Sequence, residues 1–207
     1  MKKYVNLFVF VFMIGACLSQ GRAQTKSAVS YKNPVVDIAM PDPTVIKAAD
    51  GYFYVYATES TRNVPIMKSK DLVEWTYCNT AFTNKTRPRF EPKAGIWAPD
   101  INYINGKYVL YYAMSVWGGE QTCGIGVATA NSPQGPFTDH GKMFRSNEIG
   151  VQNSIDPSLL QYEGRNYLVW GSFRGIYVIE LTTDGLSIMP GAKKKRIAGT
   201  AFEAVYI

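Results

Sequence analysis

The sequence predicts an all-β fold of the propeller type, with about three complete blades and the first strand of a fourth. Three observations predict it. A hairpin-plus-strand unit is written three times in 207 residues. The aspartates opening the units, Asp42, Asp100 and Asp156, stand 58 and 56 residues apart. No helical periodicity interrupts the units, and a period of this length with three or four strands per unit indicates propeller blades. A β-sandwich with similar hairpins is the alternative. The fixed order of Asp, hairpin and third strand favours blades.

The first unit runs DPTVIKAADGYFYVYATES from Asp42, the second APDINYINGKYVLYYAMS from Ala98, and the third IDPSLLQYEGRNYLVWGSF from Ile155. Each sets an Asp beside a Pro, then a short alternating run, then a turn, then an aromatic-rich run. The turns are Asp50-Gly51, Asn105-Gly106 and Glu163-Gly164. Asp-Gly and Asn-Gly favour tight hairpins, and Tyr, Val and Trp favour strands. A third strand follows in each unit, starting near Val64, Gly124 and Gly175. Thr200 opens a fourth unit that reaches Ile207 inside an apolar run. The expectation is that this sequence is the N-terminal portion of a longer propeller, since three blades and a stub do not close a ring.

Composition agrees with a folded extracellular chain. Apolar residues make up 46% and charged residues 18%, which excludes a disordered segment. Aromatics reach 14%, with 14 Tyr, so most of these rings are expected in strand cores and some on a sugar-facing surface. The formal charge of +6 is modest, and the one dense basic run, Lys193-Lys194-Lys195-Arg196, reads as a solvated loop. Without an interleaved basic and aromatic stripe, nucleic acid is not expected as a partner. With one His and no paired Cys motif, no zinc site is expected. Cys78 and Cys123 read as two unpaired or buried thiols.

Residues 1–23 read as a signal peptide. Lys2 and Lys3 precede an uncharged apolar run from Val5 to Ile14, too short to act as a membrane span. Two cleavage patterns fit. Ile14-Gly15-Ala16-Cys17 matches a lipobox, with Cys17 as a lipidated first residue, and Gly21-Arg22-Ala23 matches an ordinary signal-peptidase site. Both place the mature chain outside the cytoplasm: secreted, periplasmic or anchored at the outer membrane of a bacterium. A lipid anchor is the only membrane contact expected. Residues 33–207 form the partial propeller domain.

Innermost strands of propeller blades meet around a central channel. The repeat therefore puts Asp42, Asp100, Asp156 and Glu203 at equivalent positions around one mouth. Clustered carboxylates raise one another's pKa, which suits a division into a protonated acid and an ionised base. Glycosidic hydrolysis needs that pair. Asp100 is the member whose setting, Trp97-Ala98-Pro99-Asp100, equally fits an anchor for the second blade. Glu203 stands in the apolar run Ala201–Val205, where a buried Glu is costly unless paired or neutral.

Met40-Pro41-Asp42-Pro43-Thr44, Trp97-Ala98-Pro99-Asp100, Asn153-Ser154-Ile155-Asp156-Pro157 and Gly199-Thr200-Ala201-Phe202-Glu203 together resemble glycoside hydrolase family 43, within it the arabinan endo-1,5-α-L-arabinosidases. The similarity covers about Asn33 to Ile207. The resemblance implies a five-bladed propeller and an inverting hydrolase of α-L-arabinofuranosidic bonds. It implies Asp42 as general base, Glu203 as general acid and Asp156 as the residue that tunes and orients the acid. It also implies substrate contacts at Trp97, Gly118, Asn153, Ser172 and Phe173. The implied substrate is a plant cell-wall polysaccharide, arabinan or arabinoxylan. No cofactor is required by the resemblance, although a structural calcium or other ion near the channel axis belongs to the full-length pattern; His140 does not match its supporting His. The family's acid motif usually continues Glu-Gly-Pro or Glu-Ala-Pro, and here reads Glu203-Ala204-Val205.

Three other readings use the same residues. A β-xylosidase or exo-arabinofuranosidase would share the three carboxylates. A retaining fructan hydrolase would show Asn and Arg where Pro41 and Ile155 stand. A glycan-binding propeller without catalysis, or an inactive truncated product, is the alternative of another class.

Overall fold

The structure is a computed structural model, in which residues 30–207 are described; the leader, with Cys17, lies outside them. Twelve strands form three four-stranded sheets, each a meander of consecutive antiparallel strands. The first blade is β1 (Thr44–Lys47), β2 (Phe53–Tyr56), β3 (Pro65–Ser69) and β4 (Trp75–Thr80). The second is β5 (Gly95–Ile104), β6 (Lys107–Ser115), β7 (Gly124–Ala130) and β8 (Thr138–Arg145). After the single helical turn α1 (Ser146–Ile149), the third is β9 (Ser158–Tyr162), β10 (Arg165–Ser172), β11 (Gly175–Leu181) and β12 (Lys195–Ala198).

Two of the three hairpin turns are as tight as their sequences demand. Ile104 pairs with Lys107 across Asn105-Gly106, and Tyr162 pairs with Arg165 across Glu163-Gly164. All four central residues have φ between 48° and 82°, the left-handed pair that two-residue hairpins require. The first turn differs. The Ala48 and Tyr52 backbones pair across a three-residue loop, Gly51 N–H donates to Ala48 O at 3.0 Å, and Gly51 takes φ 83°. The Asp50 carboxylate explains the longer loop, because it accepts from both Tyr52 N–H and Tyr54 Oη.

Alternation along β6 shows how the blades pack. Tyr108, Leu110, Tyr112 and Met114 join a core with Tyr54, Tyr56, Ile66 and Phe82 of the first blade. Val109 and Tyr111, on the opposite face, join Leu159, Leu168, Trp170 and Ile179 of the third. The second sheet is covered on both faces, so its strands read as nearly continuous apolar runs. Three meanders stacked in chain order are not the two-sheet sandwich. The basic run is also partly strand: Lys195 and Arg196 open β12, whose residues are all exposed at the sheet edge. Charges on an edge strand discourage pairing with another chain. Residues 199–207 form no strand, so the expected first strand of a fourth blade is not formed.

Two buried polar clusters join the blades. Arg87 makes a bidentate pair with Glu59, and both side chains are less than a tenth exposed. Glu59 also accepts from Asn63 N–H at 2.7 Å and from Ile96 N–H at 2.9 Å, which ties the loop after β2 to the start of β5. Burial pushes the Glu59 carboxyl up, but Arg87 and the two amides outweigh it and hold the carboxyl below its ordinary value.

Asp100 is the second cluster. Its carboxylate accepts from Leu159 N–H (2.8 Å, β9), from Asn102 Nδ2 (2.7 Å, β5) and from the Thr44 hydroxyl (3.5 Å, β1). One side chain thus touches the first strand of every blade. Burial pushes the carboxyl up to about 6 against the lowering effect of those three donors.

Two predictions follow from these clusters. Glu59→Gln leaves Arg87 buried without its charge partner and is expected to destabilise the protein by about 3–5 kcal/mol in denaturant unfolding. For Asp100 the folded state holds its proton more tightly than the unfolded one. Its contribution to stability therefore falls as pH rises from 3.8 to about 6 and stays low above that. Asp100→Asn retains the amide and hydroxyl contacts without titrating. Its melting temperature is expected to fall less than the parent's between pH 4 and pH 6; equal slopes would refute this assignment.

Candidate active site

Each blade is entered through the same backbone corner. Asp42, Ala98 and Asp156 all take a left-handed conformation, with φ 49°, 40° and 55°, and each precedes a Pro (Pro43, Pro99, Pro157). Ala204 repeats the corner at φ 56°. Pairing confirms the register: Thr44, Asp100 and Ser158, two residues beyond the corner, each open the regular pairing with the second strand of their blade. The sequence-based equivalence of Asp42, Asp100, Asp156 and Glu203 is therefore corrected. Ala98, not Asp100, is the counterpart of Asp42 and Asp156, and Glu203 lies one residue before its own corner. A bulge between Trp97 and Asp100 accommodates the offset.

The four corners line one cavity of about 520 Å³. Asp42, Ala98, Asp156 and Ala204 stand around it with the prolines Pro43, Pro99 and Pro157. A larger groove of about 790 Å³ lies between residues 33–40 and the first blade, but its lining holds no ionisable side chain.

The two corner aspartates sit in different surroundings. Asp42 is exposed and its Oδ2 accepts the Thr58 hydroxyl at 2.5 Å. Asp156 is partly buried and its Oδ2 accepts Ala204 N–H at 3.0 Å. Burial pushes the Asp156 carboxyl up to about 6; the Ala204 amide opposes this, and the neighbouring carboxylates of Glu203 and Asp42 add to it. Asp42 and Glu203 thus each act on Asp156. Glu203 is exposed, not buried, so no desolvation cost attaches to it. The bond from Ala204 to Asp156 holds Glu203 beside Asp156.

The remaining residues singled out from the sequence, Trp97, Gly118, Asn153, Ser172 and Phe173, are not among those lining this cavity, and neither is Glu203. Trp97, immediately before the Ala98 corner, packs with Ala113, Cys123 and Ile155, the residue before Asp156. Its ring lies 5.6 Å from that of Trp117, which is 94% exposed. Trp117 was not singled out, although two tryptophans at blade ends are a legible signal. Gly118 follows in the exposed loop with φ 79°. Asn153 Nδ2 donates to Ser172 Oγ at 2.6 Å, and Ser172 is fully buried. Phe173, next to it, is half exposed. Trp117 and Phe173 therefore offer exposed ring surface, Trp97 is half-buried, and Ser172 holds Asn153 in place. Ile155 is linked to this group through Gly171 N–H, which donates to its carbonyl at 3.0 Å.

His140 is not part of the site; its ring Nε2 bonds Thr129 Oγ1 at 2.8 Å on the outer strands of the second blade. Among the described residues no three His, Cys, Asp or Glu side chains are grouped to hold a metal ion. Cys78 and Cys123 are both free thiols.

Residues 31–207 match the family described as Glycosyl hydrolases family 43. The extracellular endo-alpha-(1->5)-L-arabinanase 1 of Bacillus subtilis is 38% identical over 140 residues, which is 64% of this chain and 43% of the relative. A probable arabinan endo-1,5-alpha-L-arabinosidase C of Neosartorya fischeri is 32% identical over 160 residues, 75% of this chain and 48% of the relative. The chain thus spans less than half the length of these relatives. Among solved structures, the native arabinanase of Bacillus subtilis superposes with a TM-score of 0.66 at 32% identity, covering 75% of this chain and 56% of that one. The Cellvibrio cellulosa alpha-L-arabinanase complexed with arabinohexaose gives 0.68 at 26% identity, covering 81% and 58%. A matched family spanning nearly every described residue leads to one conclusion: the chain belongs to glycoside hydrolase family 43.

Proposed function

We propose that the protein is an inverting glycoside hydrolase that cleaves α-L-arabinofuranosidic bonds in arabinan of the plant cell wall. The observation that carries this reading is the meeting of Asp42 and Asp156 at one cavity, with Glu203 held beside Asp156 by the Ala204 amide. The names of its relatives point to arabinan as the substrate.

In this reading Asp42, exposed and hydrogen-bonded by a hydroxyl, takes a proton from water. That water attacks the anomeric carbon on the face opposite the leaving oxygen. Glu203 protonates the leaving oxygen as the glycosidic bond breaks, and the product carries inverted configuration. Asp156 acts through Glu203, which the hydrogen bond from the adjacent Ala204 amide sets beside it. Trp97 and Trp117 supply ring surface on which furanose rings can pack.

The chain of events before catalysis is part of the proposal. The leader would direct export, and an extracellular location suits a polymer that does not enter the cell; the Bacillus subtilis relative is named extracellular. Anchoring at Cys17 and full release differ in one measurement, the presence of lipid on the mature N-terminus. Both endo- and exo-acting arabinanases occur among the structural neighbours, so product length separates these modes.

The decisive experiment supplies linear arabinan to the protein and follows products by chromatography and by NMR of the first anomer formed. Release of arabinose or arabino-oligosaccharides with inverted configuration is expected. Asp42→Asn is expected to lower kcat/KM by about 10²–10⁴-fold, the range for a lost general base. No release by the parent protein, or an Asp42→Asn variant as active as the parent, would sink the reading. Trp97→Ala is expected to raise KM more than it lowers kcat, since stacking binds ground and transition states alike. Calorimetry showing bound but intact arabinan would favour a binding module instead.

A further inference from the structure

We infer that Thr58 is a positioning residue for Asp42, a role that rests on the hydrolase reading above. The Thr58 hydroxyl makes two bonds. It donates to Asp42 Oδ2 at 2.5 Å, and it accepts from Ala98 N–H at 2.7 Å. The second bond fixes the direction of the first. A backbone N–H can only donate, so the hydroxyl oxygen is occupied as an acceptor there and its proton is left to point at the carboxylate. The Thr58 backbone is fixed as well, since its N–H donates to Pro41 O at 2.9 Å. A hydroxyl held at both ends fixes the orientation of one carboxylate oxygen, which leaves the other free to meet a water.

Comparison of the blades isolates this effect. In the third blade Gly171 occupies the position of Thr58, because its N–H donates to Ile155 O as that of Thr58 donates to Pro41 O. Gly171 has φ 124°, and a Cβ there would come within 2.2 Å of Gly175 O. No hydroxyl can stand beside Asp156 at that position. The same backbone corner therefore carries a carboxylate with a hydroxyl donor in one blade and a carboxylate without one in another. The difference separates the two acids in the way a base and a tuner require. Thr58 also couples the first blade to the second, since one hydroxyl bonds both Asp42 and the amide of the Ala98 corner.

The test measures kcat and KM on linear arabinan for the parent, Thr58→Val, Thr58→Ser and Asp42→Asn, with thermal melts of each. Thr58→Val keeps the shape and removes both hydroxyl bonds. The expected result is a kcat lowered about 10–100-fold at nearly unchanged KM, the worth of one hydrogen bond to a charged group. Thr58→Ser restores the hydroxyl and is expected to recover most of that loss. A Thr58→Val protein as active as the parent, while Asp42→Asn is inactive, overturns the role of Thr58 and leaves the base assignment standing. Equal losses in the Val and Ser variants, in step with lowered melting temperatures, mean that Thr58 serves folding alone and overturn it too. Full activity in Asp42→Asn removes the base assignment itself, and the proposal with it.

Discussion

A single buried carboxylate fixes the relation of the inner strands. Asp100 reaches β1 through Thr44, its own strand through Asn102 and β9 through the Leu159 amide. The hydrophobic faces between blades are broad and non-directional, and apolar contacts alone would allow one sheet to slide on the next. Three hydrogen bonds to one small group do not. The arrangement costs desolvation, visible in the raised Asp100 carboxyl, and that cost is offset by the donors around it. The corners of the cavity stand two or three residues before these bonded positions, so their placement inherits the precision of the Asp100 contacts.

The second anchor acts farther out. The Glu59–Arg87 pair holds the loop after β2 against the start of β5, with the Arg87 guanidinium also donating to Ala94 O at 2.8 Å. Thr58 and Trp97 are each within one residue of groups in this cluster. The positions of the candidate base and of Trp97 therefore depend on an ion pair that touches neither. A charge pair this well buried contributes geometry more than net stability, because desolvation consumes much of the Coulomb gain.

Much of the fold was legible because its signals are local. Asn105-Gly106 dictates a tight hairpin by its backbone alone, and the aromatic runs that follow each turn are strands in all three blades. Fourth strands were harder, since β4 and β8 lie half-exposed and β12 fully exposed at sheet edges, and all three carry weak patterns. The site was legible in its acids and not in its register. Aligning aspartates led to Asp100, whereas the backbone landmark is the Pro that follows each corner. Left-handed corners favour Asp over Ala, so an Ala at such a corner does not announce itself. Glu59 with Arg87 and Thr58 with Asp42 left no sequence signal, because their partners are brought together only by tertiary contact. Glu203 read as buried from its apolar neighbours, but that segment makes no strand and shields nothing.

The corner register reads Asp, Ala, Asp, Ala along the chain. Acids at alternate corners are separated by a residue that contributes only a methyl group. Ala98 and Ala204 are thus the thin places in the wall, and each has its amide claimed by a side chain of an earlier blade, Thr58 and Asp156. Such a bond lets a small residue stay in a backbone conformation that its side chain does nothing to favour. The aperture between the acids is made by what these two positions lack, and its width is as much a property of the alanines as the charge is of the aspartates.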